Sequence, residues 1–236
     1  MPRTVVLTLF RTLVLSLCIL GAAAAIQAAT VVLTFEGLRD GEEVLNYYNG
    51  GKGSLGSGPG TNYGVAFSAN SLAVIQNNMG GTGNTGGEPT PPTSLFFLSG
   101  SADTMNVAAG FTTGFSFFYS AVNSGGTVNV YSGLNATGTL LATLTLPLTP
   151  NDGGGCIGLG AASNPGANFC PFLPFGVTFS GTAESVDFGG TANQIAFDNI
   201  TLGASTPGGG VPEPTSLFLL GSGCVALALL RWRKRA

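Results

Sequence analysis

Between residues 30 and 202 the apolar positions fall in short runs that alternate with small or polar residues. Phe115-Ser116-Phe117 and Val128-Asn129-Val130-Tyr131 show the alternation most cleanly. A period of two sends successive side chains to opposite faces of a strand, one buried and one wet. On this basis strands are expected at 30–35, 64–68, 72–75, 94–98, 104–108, 114–120, 127–131, 140–146, 175–180, 184–188 and 194–202. Clusters of Gly, Asn, Ser and Pro separate them. No segment in this region keeps a long 3.6-residue period; residues 42–48 are expected to form at most one helical turn. Short strands at this spacing predict an all-β fold, a jelly-roll-like two-sheet sandwich. Three Gly-rich stretches, 49–64, 80–92 and 151–166, read as surface loops. The second contains Gly80-Gly81-Thr82-Gly83-Asn84 but no Gly-Lys-Ser/Thr and no following helix, so it is not a phosphate loop.

Both ends of the chain depart from this pattern. Arg3 and Arg11 precede an apolar run at 12–20 and a small-residue stretch at 21–29. That order of basic, hydrophobic and small segments predicts a secretory signal peptide over residues 1–28, cleaved after Ala28, with Ala25 also a fit. The exported domain then spans 29–207. Residues 208–210 form a Gly linker. Next come Val211-Pro212-Glu213-Pro214, an almost wholly apolar run at 215–230, and a tail containing Arg231, Arg233, Lys234 and Arg235. The prolines keep residues 211–214 extended and accessible. The apolar run as a helix spans about 24 Å at about 1.5 Å per residue. This is a little short of the roughly 30 Å hydrocarbon core, a gap that thinning and snorkelling close. The basic tail belongs on the cytoplasmic side, which puts the domain on the periplasmic side of an inner-membrane precursor.

Pro-Glu-Pro, a short hydrophobic span and an Arg-rich end, in that order over 211–236, resemble the PEP-CTERM sorting signal of Gram-negative bacteria. The resemblance implies handling by exosortase, a membrane transpeptidase-like enzyme of bacteria that make exopolysaccharide and biofilm. It also implies that Pro212, Glu213 and Pro214 are recognised and that the tail is removed.

Composition narrows the chemistry. The chain contains no His, which excludes Ser-His-Asp and Cys-His nucleophile machinery and histidine metal ligands. Residues 30–210 carry ten acids against two bases, Arg39 and Lys52, a net charge of −8. A nucleic-acid partner is excluded on that ground, since counterion release needs Lys and Arg on the binding face. Of the four Cys, Cys18 falls in the signal peptide and Cys224 in the tail. Cys156 and Cys170 alone lie in the exported domain, and an even pair in an oxidising compartment predicts a disulfide.

Candidate functional residues are few. The domain opens on Thr34-Phe35-Glu36 and closes on Phe197-Asp198-Asn199. This resembles carbohydrate-binding jelly rolls in which acids near the first strand and an Asp of the last hold a structural calcium. The resemblance implies Glu36 and Asp198 as ligands, with Asp40 and Asn199 as weaker candidates. Tyr47 and Tyr48 are candidate glycan contacts, because one of two neighbours in an extended segment faces outward. No catalytic residue is assigned: any two acids can meet in space as a glycosidase pair, yet the domain has no Trp to form a sugar platform. Two functions follow: a surface or matrix protein associated with extracellular polysaccharide, or a calcium-stabilised glycan-binding module. A glycan-active enzyme stands third.

Overall fold

The computed structural model describes residues 30–151 and 155–208. Signal peptide, sorting motif, apolar run and basic tail lie outside the described residues, as do Cys18 and Cys224. Thr30–Gly209 forms one compact unit.

Eleven strands build that unit: β1 (Val31–Leu33), β2 (Val65–Phe67), β3 (Leu72–Ile75), β4 (Thr93–Phe96), β5 (Ala102–Phe111), β6 (Gly114–Ser120), β7 (Gly126–Gly133), β8 (Thr137–Leu146), β9 (Leu173–Thr178), β10 (Ala183–Gly190) and β11 (Ala196–Leu202). Every strand expected from the alternation is present. They form two sheets, a sandwich with only three short 3-10 turns among the described residues. The first sheet runs β3-β4-β11-β6-β9, with β1 also on β11; the second runs β2-β5-β10-β7-β8. All of these pairings are antiparallel. Only β3–β4 and β7–β8 join sequence neighbours within a sheet, so nearly every other connection crosses between layers.

The core is the meeting of the two inner faces. Phe115, Phe117 and Tyr119 alternate inward from β6, and Val128 and Val130 from β7. Phe188 of β10 reaches across to Phe197 of β11, ring centroids 5.0 Å apart and edge-on, with Phe117 at 5.4 Å from Phe197. Edge-to-face packing of this kind adds to the hydrophobic gain of burial. Ser116, on the opposite face of β6, is also buried, because the chain leaving β11 folds back over it: its hydroxyl donates to the Ala204 carbonyl at 2.9 Å. Gly176 of β9 is required there, since a Cβ would sit 2.2 Å from the Ser205 oxygen. The exposed edge strand β9 carries Pro174, tolerated where no ladder partner needs its missing N–H.

Candidate functional site

The segment leaving β1 is where the predicted site residues meet. Glu36 Oε1 accepts from Thr93 N at 2.9 Å. Asp198, fully buried in β11, accepts from Thr90 N through Oδ2 at 3.0 Å and from Asn199 N through Oδ1 at 2.7 Å. The Thr90 hydroxyl donates to Asn199 Oδ1 at 2.8 Å. Asn199 adopts a left-handed backbone (φ 48°) at the bulge that interrupts the β11–β6 ladder, and this turns its amide toward Thr90. The first and last strands therefore converge on residues 88–93, as the sequence led one to expect, although the carboxylates are largely occupied by main-chain N–H groups.

Sequence reasoning missed a third acid. Glu88 is buried, its Oε2 takes a short hydrogen bond from the Gln76 amide, and its Oε1 finds no partner. Burial, and then the charge of Glu36, push its carboxyl above the usual range; hydrogen bonds oppose this. Asp198 is pushed well up by burial first, with Glu88 and Glu36 adding to the effect. Burial also raises Glu36. The three acids thus feel one another. Yet among the described residues no three acid, His or Cys side chains are spaced as a metal-ligand set. Glu88 was hidden because it sits in a Gly-rich stretch that reads as exposed loop. Asp40 Oδ1 accepts from Ile75 N at 2.8 Å, and Ile75 is the strand partner of Thr93, the donor to Glu36.

Tyr47 and Tyr48 correct an expectation. Their segment is not extended but turns into a 3-10 helix at Tyr47–Asn49, so both rings point inward, 8% and 5% exposed. Tyr47 donates to the Glu36 carbonyl at 2.8 Å, and Tyr48 accepts from Phe35 N at 2.7 Å. They brace the exit of β1 and present no open face to a sugar. Tyr63, stacked on Tyr48 and 39% exposed, is the member of that group at the surface.

Cys156 and Cys170 form the expected disulfide, Cα atoms 5.8 Å apart. They make a small core of their own with Ala167 and Leu159. Next to the bridge, Phe169 pairs with Thr85 of the second Gly-rich loop, and Phe169 N donates to the Asn84 carbonyl at 3.0 Å. The two loops together wall a pocket of about 380 Å³, floored by Val74, Phe96 and Ala196. The loop lies tight against β3: Gly83 N donates to the Ile75 carbonyl at 2.7 Å, where a Cβ would come within 2.8 Å of that oxygen.

Fold and site together define a disulfide-stapled, all-β two-sheet sandwich. The chain carries a PEP-CTERM protein-sorting motif, matched over residues 210–235. That motif indicates an exported surface protein processed by exosortase. Among the described residues no helix is long and apolar enough to cross a membrane. No curated protein sequence matches the chain. Among solved structures it is similar to a glycoside hydrolase family 43 arabinoxylan arabinofuranohydrolase from Bacillus subtilis, at 19% identity and a TM-score of 0.34. That alignment covers 56% of this chain and only 23% of the hydrolase. It is also similar to a family 6 carbohydrate-binding module, at 16% identity, a TM-score of 0.34 and coverage of 58% and 85%. A carbohydrate-binding module of Cellvibrio mixtus lichenase 5A follows at 12% identity, a TM-score of 0.31 and coverage of 56% and 85%.

Proposed function

We propose that the sandwich, once handled by exosortase, serves as a structural component of the cell surface or extracellular matrix and is held there by association with exopolysaccharide. The sorting motif carries this reading. It is supported by the use the domain makes of its acids: Glu36, Glu42 and Asp198 accept main-chain hydrogen bonds that hold loops in place. Nor does any titratable side chain line the pocket to move a proton. Both features favour a holding role over turnover. The test is co-sedimentation of the exported protein with exopolysaccharide from the producing cells. Saturable pull-down is expected; a protein that stays wholly in the supernatant overturns the association.

A calcium-stabilised module is the second reading. The observation that favours it is the mutual repulsion of Glu36, Glu88 and Asp198, together with the unpartnered Glu88 Oε1. A hard divalent cation takes six to eight oxygen ligands; since the three carboxylates are not spaced as a ligand set, binding would have to draw them together. Chelator is then expected to lower the melting temperature, and Asp198→Asn to abolish that response. An identical melting curve with and without chelator removes the reading.

A further inference from the structure

The pocket beside the disulfide has a chemistry that the acid cluster lacks. Thirteen residues line it, and none is charged. Its rim carries the side-chain amides of Asn84, Asn123, Asn193 and Gln194. Asn84 spends its carbonyl oxygen on Asn168 N at 3.0 Å. The amides of Asn123, Asn193 and Gln194 have no hydrogen-bond partner among the described residues. Asn193 stands in a left-handed conformation (φ 60°), with its own N–H committed to the Phe97 carbonyl at 2.8 Å. Asn tolerates that backbone better than most residues, and the side chain is left free at the rim. The lining also includes apolar side chains: Phe169, half-buried, and Leu98, 54% exposed.

We propose that this pocket binds a neutral saccharide, one or two sugar rings of an uncharged polysaccharide segment. The inference rests on the exopolysaccharide reading above and names its site. Each sugar hydroxyl both donates and accepts, and a primary amide offers two donors and an acceptor side by side. The C–H faces of a sugar ring need apolar walls, which Phe169 and Leu98 supply. A volume of about 380 Å³ falls in the range of about 300–1,000 Å³ typical of small-molecule sites. The sign of charge selects among sugars. With no Lys or Arg in the lining and a body of net charge −8, uronate, sulfate and phosphate groups meet no counter-charge and a repulsive field. The disulfide fits this role, for it sits one residue from Phe169 and holds that wall in register with Asn84 and Thr85.

The test uses the exported protein with its disulfide formed. Oligosaccharides released from the producing cells' exopolysaccharide are separated by charge, and the neutral and anionic fractions are titrated calorimetrically. The neutral fraction is expected to bind saturably and the anionic fraction more weakly. The double variant Asn123→Ala, Gln194→Ala should lose at least about tenfold in affinity, the worth of two hydrogen bonds, at an unchanged melting temperature. Asn123 is exposed and Gln194 half-buried, and the unchanged melting temperature is the check that the double variant keeps its fold. Preferential binding of the anionic fraction, or unchanged affinity in the double variant, overturns the pocket. If the double variant still co-sediments with whole exopolysaccharide as wild type does, the pocket fails and the matrix reading stands. If wild type does not co-sediment at all, both fail.

Discussion

Glu42 and Asp103 are both buried acids, 0% and 1% exposed, and their surroundings push them in opposite directions. Burial raises the Glu42 carboxyl, but hydrogen bonds from Ser57, Arg39 and Leu55 outweigh it and the net displacement is downward. Its Oε1 accepts from Leu55 N and Ser57 N, and its Oε2 from Arg39 N. A depressed carboxylate contributes stability above its unfolded pKa, lost as pH falls through the folded one. Glu42→Gln is therefore expected to cost about 1–3 kcal/mol at pH 7, from donors left without their charged acceptor, and much less below pH 4. Asp103 faces the core of β5 with neither oxygen hydrogen-bonded. Burial first, and the charge of Asp187 second, hold its carboxyl well above the usual range. A raised carboxyl gives the reverse sign: its stability is fully present below the unfolded value of about 4 and is lost as pH climbs toward the folded one. Glu36, Glu88 and Asp198 act in the same direction. Each pH unit across that window is worth at most about 1.4 kcal/mol per group. Asp103→Asn should match wild type at pH 4 and melt higher at pH 8, by upward of about 1 kcal/mol. Thermal melts from pH 4 to pH 8 check both variants. A melting temperature of Asp103→Asn below wild type at pH 8 would show the carboxylate to be stabilising.

At the scale of elements, the disulfide staples a loop that hydrogen bonds also tie to residues 76–87. The bridge closes a separation of 14 residues and caps a small core separate from that of the sandwich. In the chain-entropy picture a loop of this length is worth about 3 kcal/mol. Replacing Cys156 and Cys170 by Ser is expected to cost about that much, read as a lowered melting temperature that wild type reproduces only under reductant. A double variant melting with wild type would mean that loop pairing alone suffices. Strands were legible in the sequence wherever apolar and polar residues alternate, as in Val128-Asn129-Val130, where burial follows the same alternation. Their ends were less so. β8 begins at Thr137, not at the apolar Leu140, because its first residues are exposed and owe their strand state to pairing with β7, which no hydrophobic pattern reports. β5 likewise extends through Gly110 to Phe111. Period-two reasoning failed at Tyr47-Tyr48, where the chain turns and both rings go inward. Of the candidate site, the neighbouring of the first and last strands was legible, and β1 does pair with β11. Glu88 was not, nor was the pocket, whose amides come from segments around 84, 123 and 193 that only the sheet crossings bring together.

The whole molecule divides its charge between basic ends and an acidic body. Six of its eight basic residues lie at positions 3, 11 and 231–235, flanking a body that carries ten acids and two bases. On the sequence reading, cations at the ends would set the orientation of a membrane-bound precursor, and an acidic body offers little attraction to polyanions. Removal of both ends would leave a surface form with the formal charge of −8 of its body, and so would change both anchorage and net charge. Pro212-Glu213-Pro214 lies within the matched sorting motif and is expected to be the element that exosortase recognises. Two prolines prevent helix and strand alike, and the carboxylate of Glu213 stands alone among neutral neighbours. A triplet read as extended chain with one charge should tolerate neither a lost charge nor a lost proline. Glu213→Ala and the pair Pro212→Ala, Pro214→Ala are each expected to leave the protein in the inner-membrane fraction with residues 215–236 attached. The wild-type surface form should lack them. Intact mass of the surface and membrane fractions reads this directly. A wild-type surface protein that retains the basic tail would show that the motif sorts without cleavage. A Glu213→Ala protein processed as efficiently as wild type would assign recognition to the prolines and the apolar span alone.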